Sequence, residues 1–148
     1  MQALLEKGAA PNQEHARTGS FPLLRASQDG HGACVQALLE NDADATQVNA
    51  QTGSFPLLLA SQDGHGACVK ALLKKGADPN LVHLPTGSFP LFLASQHGHV
   101  ECVQALLEKG ADADQLHEPT GFSPVLLASH LGHAQCLQAF LEKCAEAA

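Results

Sequence analysis

The sequence contains no Trp, no Tyr and few cations, since 8 Lys and Arg stand against 15 Asp and Glu among 148 residues. The resulting net charge of -7 disfavours nucleic-acid binding, because phosphate contacts depend on clustered Lys and Arg. The longest apolar run, around Phe55–Ala60, is far shorter than the roughly 20 residues of a membrane-spanning helix. No charged and apolar leader opens the sequence, so we expect an intracellular protein, cytoplasmic or nuclear.

What the sequence does contain is an internal repeat. The string Thr-Gly-Ser-Phe-Pro, or a close variant, begins at Thr18, Thr52, Thr86 and Thr120, in steps of 34 residues. A period between about 20 and 50 residues indicates a solenoid of stacked units. Hydrophobic residues make up 45% of the chain, which suits one packed domain. The same step relates four Gly-His pairs and four cysteines, at residues 30–31, 64–65, 98–99 and 132–133 and at Cys34, Cys68, Cys102 and Cys136.

The second unit shows what each unit is expected to form. Pro56 suits the first turn of a helix, and Gly64 suits a left-handed helix end. A second helix is predicted over Ala67–Lys74, where the apolar residues share one face, and Gly76 ends it. Residues 77–88 contain two Pro and a Gly and predict a protruding loop or hairpin. One such helix pair cannot bury its apolar faces alone, so neighbouring units must stack.

Two repeat families have periods near 34 residues. Tetratricopeptide repeats carry a Trp and Tyr signature that this chain lacks, and roughly a third of each unit here is loop. The second unit, TGSFPLLLASQDGHGACVKALLKKGADPN, instead resembles the ankyrin pattern with its Gly-His turn, Leu-Leu pair and Gly-Ala-Asp-x-Asn end. The resemblance covers the whole chain and implies an all-α solenoid of helix-turn-helix pairs with protruding hairpin loops. It implies one array over residues 1–148, with a partial repeat at 1–17 and repeats at 18–51, 52–85, 86–119 and 120–148.

The chain departs from the ankyrin pattern in two respects. Where that pattern has Thr before Pro, three units have Phe21, Phe55 and Phe89, so apolar packing is expected to replace a hydroxyl hydrogen bond. The fourth unit has Ser123 at this position and keeps the hydroxyl. Each hairpin is one residue longer than usual and lacks the Asp that normally opens its turn, so the tips are expected to differ in shape.

Five Cys and nine His raise the question of a metal or thiol site. Equivalent positions in stacked units lie about 8–10 Å apart. A disulfide needs Cα atoms within about 7 Å, and zinc ligands lie within about 2.3 Å of the ion. We therefore predict no metal, no cofactor and no disulfide among the four repeated cysteines, which we expect in the core. Cys144, near the end of the chain, is the expected reactive thiol.

The histidines fall into two groups. His31, His65, His99 and His133 occupy the turn position of the ankyrin pattern, where the resemblance implies that the side chain holds backbone groups. The others lie on loops or helix ends, and His97 and His130 occupy neighbouring positions in adjacent units. No catalytic motif is found in the sequence, so we predict that the chain is not an enzyme.

The resemblance implies a protein–protein interaction module whose concave face binds another protein or peptide. Two alternatives remain open, a recruiting or scaffolding fragment of a larger protein or enzyme, and an engineered repeat scaffold without a native partner. The family's usual contact positions are the hairpin tips and the exposed ends of the first helices. They correspond here to His15, Arg17, Gln28, Asp29, Asn49, Gln51, Gln62, Asp63, Leu81, Val82, His83, Leu84, Pro85, Gln96, His97, His117, Pro119, His130 and Leu131.

The two ends of the array carry their own expectations. Met1, Leu4 and Leu5 at one end, and Phe140 and Leu141 at the other, belong to helix faces that suit a neighbouring unit. Exposed apolar faces of this kind favour end-to-end self-association. Arg25 stands where later units have Leu, and we expect it to be exposed.

Overall fold

The computed structural model describes residues 10–147. Within that range the chain forms eight α-helices in four pairs and no strand, so the predicted all-α class is confirmed. The pairs are α1 (Pro22–Asp29) with α2 (Gly32–Glu40), α3 (Pro56–Gln62) with α4 (Gly66–Lys74), α5 (Pro90–Gln96) with α6 (Val100–Glu108), and α7 (Pro124–Leu131) with α8 (Ala134–Ala147).

The first helix of every pair begins at a proline, whose missing N–H costs nothing in the first turn. In three units the residue before it is Phe21, Phe55 or Phe89, which makes no capping hydrogen bond and is at most 3% exposed. In the fourth unit the Ser123 Oγ accepts a hydrogen bond from the Leu126 N–H at 3.2 Å. Apolar packing thus replaces the cap in three units, as predicted.

The units stack in two layers. First helices pack against the first helices of the next unit, second helices pack against second helices, and the two helices of each unit pack together. Val35, Val69 and Val103, one unit apart, are completely buried between these layers. Helix α4 begins at Gly66, one residue before the predicted start at Ala67. At Gly66 a side chain would meet the Glu101 carboxylate of the next unit, which would have to move aside to make room for it.

The segments between pairs form short hairpins that project from the helices. Antiparallel bridges join His83 to Ser88 and His117 to Phe122. In each bridge the His N–H donates to the opposite carbonyl oxygen, at 2.7 Å and 2.8 Å. The corresponding bond in the second hairpin joins the Asn49 N–H to the Ser54 carbonyl at 2.8 Å. The predicted loops are therefore ordered hairpins that repeat from unit to unit.

A row of buried serines runs through the first helices. Ser27, Ser61 and Ser95 are completely buried, and their hydroxyl oxygens have no hydrogen-bond partner among the described residues. The equivalent Ser129 is exposed, and its hydroxyl donates to the Val125 carbonyl at 3.0 Å. Three buried hydroxyls are thus desolvated without compensation.

We expect Ser61→Ala to raise the free energy of unfolding by about 1 kcal/mol, because it removes an unpaired buried hydroxyl and favours the helix. Urea denaturation monitored by circular dichroism measures the change. Ser129→Ala is the matched control and should gain less, because that hydroxyl already has an acceptor. A clear loss of stability in Ser61→Ala would show that the hydroxyl is paired.

Candidate interaction surface

The turn histidines hold adjacent units together at the ends of the first helices. The Nε2 atoms of His65, His99 and His133 donate to carbonyl oxygens of the preceding unit, at 3.0–3.1 Å. The acceptors belong to the glutamines of the helix ends, and each imidazole lies over the glycine that terminates the preceding first helix. The expectation that these side chains hold backbone groups is confirmed for the three residues.

This contact places the ends of the first helices side by side, in a continuous line along the stack. We call this line the helix-end row. All of its side chains are exposed, and none belongs to the core. The row consists of Gln28, Asp29, Gln62, Asp63, Gln96, His97, His130 and Leu131.

The hairpin tips form a second line. The Pro85 ring lies against Gly53 of the preceding hairpin, where an added Cβ would be 3.2 Å from Pro85 Cδ. Pro119 lies against Gly87 in the same way, with Cδ 2.8 Å from such a Cβ. Successive tips are therefore in contact. We define the tip row by its exposed members Arg17, Gln51, Leu84, Pro85 and Pro119.

A hairpin and a helix end meet in the fourth unit. The ring of Phe122, in the returning arm of the hairpin, lies 5.6 Å from the ring of His130 at the end of α7. In this unit the returning arm of the hairpin and the end of the first helix therefore border one surface.

Two of the predicted contact residues point into the protein. Asn49 is 3% exposed, and its Nδ2 donates to the Thr18 carbonyl of the preceding hairpin at 3.0 Å. His117 is 7% exposed and stacks on Phe92, with ring centroids 4.1 Å apart. Its Nε2 donates to the Thr86 carbonyl at 3.0 Å. Both side chains tie neighbouring hairpins together, and neither adds accessible surface to the two rows.

His83 has the same bridging role in the third hairpin. Its Nε2 donates to the Thr52 carbonyl of the preceding hairpin at 2.9 Å. Its Nδ1 therefore accepts from the Thr86 hydroxyl, at 2.7 Å. His15 is exposed in the first described hairpin, and its Nδ1 lies 3.2 Å from the Thr18 hydroxyl. The repeated histidines and Asn49 thus shape the hairpins.

The apolar hairpin residues divide by exposure. Leu81 and Val82 are half-buried and pack against the core, whereas Leu84 is 87% exposed. Val48 and Leu116, 34 residues before and after Val82, are also exposed and were not among the predicted contact residues. The repeat period would have identified them, because it relates both to Val82.

The exposure of the residues at the ends of the array agrees only in part with what the sequence predicts. Arg25 is exposed, as expected, and its Nε lies 3.1 Å from the Asp29 carboxylate. Leu141 is 59% exposed, whereas Phe140 is 2% exposed. The expectation that Phe140 belongs to an open end face is therefore wrong, because this side of α8 faces the core of its own array. Met1, Leu4 and Leu5 lie outside the described residues.

Three of the four repeated cysteines are buried in the core, as expected, whereas Cys34 is only half-buried. All five are free, Cys68, Cys102 and Cys136 are at most 1% exposed, and Cys144 is exposed. Burial raises the pKa of the Cys102 thiol to about 12, because the thiolate loses its hydration there. Within residues 10–147 no three His, Cys, Asp or Glu side chains are grouped to hold a metal ion.

We expect iodoacetamide at neutral pH to modify Cys144 first, because only a thiolate attacks and the pKa of buried Cys102 lies far above that pH. Peptide mass spectrometry after timed quenching measures the rate at each site. The buried thiols should react only after denaturation. Equal rates at Cys102 and Cys144 in the native protein would contradict the stacked core.

The family comparison agrees with this geometry. A family model described as ankyrin repeats, in 3 copies, matches residues 1–83 and 57–147. No curated protein shows significant similarity to the chain. In the part of the chain that the structure describes, no helix has the length and apolar character to cross a membrane.

Proposed function

Because the chain belongs to the ankyrin-repeat family, whose members generally bind other proteins, we propose that it binds a partner protein through the tip row and the helix-end row. Five free cysteines support an intracellular, reducing location. The proposal includes no catalytic step.

The observation that carries this proposal is the separation of constant and variable positions. The buried faces repeat almost unchanged from unit to unit, as with Leu38, Leu72 and Leu106, all completely buried. The exposed tip row, by contrast, differs from hairpin to hairpin, and the exposed helix-end row changes at its last position from Asp63 to His97 and Leu131. A surface that varies on a constant scaffold is suited to recognising one partner.

Leu84 is the side chain on which the proposal is tested most directly. It is the most exposed large apolar residue among those described, at 87%, so an Asp there should not disturb folding. We expect Leu84→Asp to weaken partner binding by about 2 kcal/mol, roughly thirtyfold, as for loss of an interface anchor.

The measurement is quantitative capture from a cell lysate on immobilised wild-type and variant arrays, followed by titration of the captured protein. Lys74→Ala, an exposed change on α4, is the control and should leave capture unchanged. A partner retained equally by Leu84→Asp, or lost with Lys74→Ala, would place the binding face on the other side of the array.

A further inference from the structure

The two rows change in chemical character along the stack. At the last position of the helix-end row the four successive units carry Asp29, Asp63, His97 and Leu131. All four side chains are exposed. The side chain at this position is therefore a carboxylate in the first two units, an imidazole in the third and an aliphatic group in the fourth. The aliphatic residue, Leu131, is 45% exposed.

The tip row changes in the same direction. Its first two hairpins carry the polar Arg17 and Gln51, and its third hairpin carries Leu84 and Pro85. Pro119 follows in the fourth hairpin. Leu116 exposes more apolar surface in the fourth hairpin than the equivalent Val48 does in the second, at 53% against 39%. The exposed carboxylate of Glu118 is an exception to the apolar character of the fourth hairpin.

The two carboxylates of the helix-end row, Asp29 and Asp63, differ in whether they have a cationic partner. The Asp29 carboxylate lies 3.1 Å from the Arg25 Nε, so it already has a cationic partner within its own helix. Asp63 has no ion pair or side-chain hydrogen bond among the described residues, and its side chain is exposed. A cation from outside the chain is therefore best placed at Asp63.

From these observations we infer that the partner presents an extended segment with a Lys or Arg over Asp63 and apolar side chains over Leu84 and Leu131. This inference rests on the proposed function and specifies the chemistry of its partner. Successive units lie about 8–10 Å apart, which is three residues of extended chain at about 3.3 Å each. Asp63 and Leu131 are two units apart in the helix-end row, so the cation and the apolar side chain over Leu131 should be about six positions apart.

Selection from a displayed library of random peptides, each roughly ten residues long and able to span three units, tests the inference. We expect the selected peptides to share one cation and apolar residues at that separation, in either chain direction. For these peptides Asp63→Lys should weaken binding by about tenfold or more, because it reverses the pairing charge. Glu108→Lys, a matched reversal on the exposed side of α6, should change affinity little.

Different results of this experiment distinguish a wrong partner chemistry from a wrong binding face. Peptides that bind through Leu84 but carry no cation, or that bind equally well to Asp63→Lys, overturn the partner chemistry and leave the binding module in place. Selection of acidic peptides overturns it as well. If no peptide is enriched, or if all bind without regard to Leu84→Asp and Asp63→Lys, the proposed binding face fails together with the inference.

Discussion

Replacing Leu58 with Ala should lower the free energy of unfolding by about 2–5 kcal/mol, the usual cost of removing a large buried aliphatic side chain. Leu58 is 3% exposed on α3, and α5 of the following unit packs against that helix. The substitution leaves a cavity between two units, so it removes contacts that hold the stack together. Chemical denaturation of both proteins measures the difference.

Leu126 provides the matched control, because it occupies the same position in the last unit. It is 51% exposed, since no described unit follows α7. We expect Leu126→Ala to cost less than about 1 kcal/mol. The difference between the two variants is the contribution of the neighbouring unit, and equal losses would contradict stacking as the source of stability.

Gly98→Ala is the second substitution with a large expected effect. Gly98 has φ +71°, and a Cβ there would be 2.8 Å from the Nδ1 of His133. The left-handed backbone alone costs an alanine about 1–2 kcal/mol. Displacing the imidazole also breaks its hydrogen bond to the Gln96 carbonyl, worth about 1 kcal/mol. We therefore expect a total loss of about 2–3 kcal/mol in the free energy of unfolding.

Gly132→Ala separates these two contributions. Gly132 has φ +77°, yet no atom lies within 4 Å of a Cβ built there. This variant should show the backbone cost alone, about 1–2 kcal/mol. Thermal or urea unfolding of both variants gives the comparison. If Gly132→Ala is as damaging as Gly98→Ala, the turn histidine does not contribute to stability.

The helical scaffold could be predicted from the sequence because its signals are local and repeat. Pro56 and Gly64 mark the limits of one helix by their backbone preferences alone. The 34-residue period then extends this result to every unit, and buried Cys68 and Cys102 follow from their place on the apolar face. Each signal concerns a single residue or its immediate neighbours.

The candidate surface was less predictable because it depends on side-chain direction. Asn49, Leu84 and His117 all lie on hairpins, yet only Leu84 is exposed. The direction of each follows from the hydrogen bonds between neighbouring hairpins, which composition does not reveal. Phe140 and Leu141 are likewise adjacent in sequence but differ in exposure, because successive residues of a helix point about 100° apart around its axis.

Amide chemical-shift mapping of the labelled array with its tightest selected peptide tests the central claim most directly, because it reports every backbone position except the prolines at once. The account predicts changes concentrated at the helix-end row and the tip row, above all near Asp63, Leu84 and Leu131. The exposed side of α4, around Lys70–Lys75, should be unaffected. Chemical-shift changes confined to that side of α4, with no change in either row, would contradict the account.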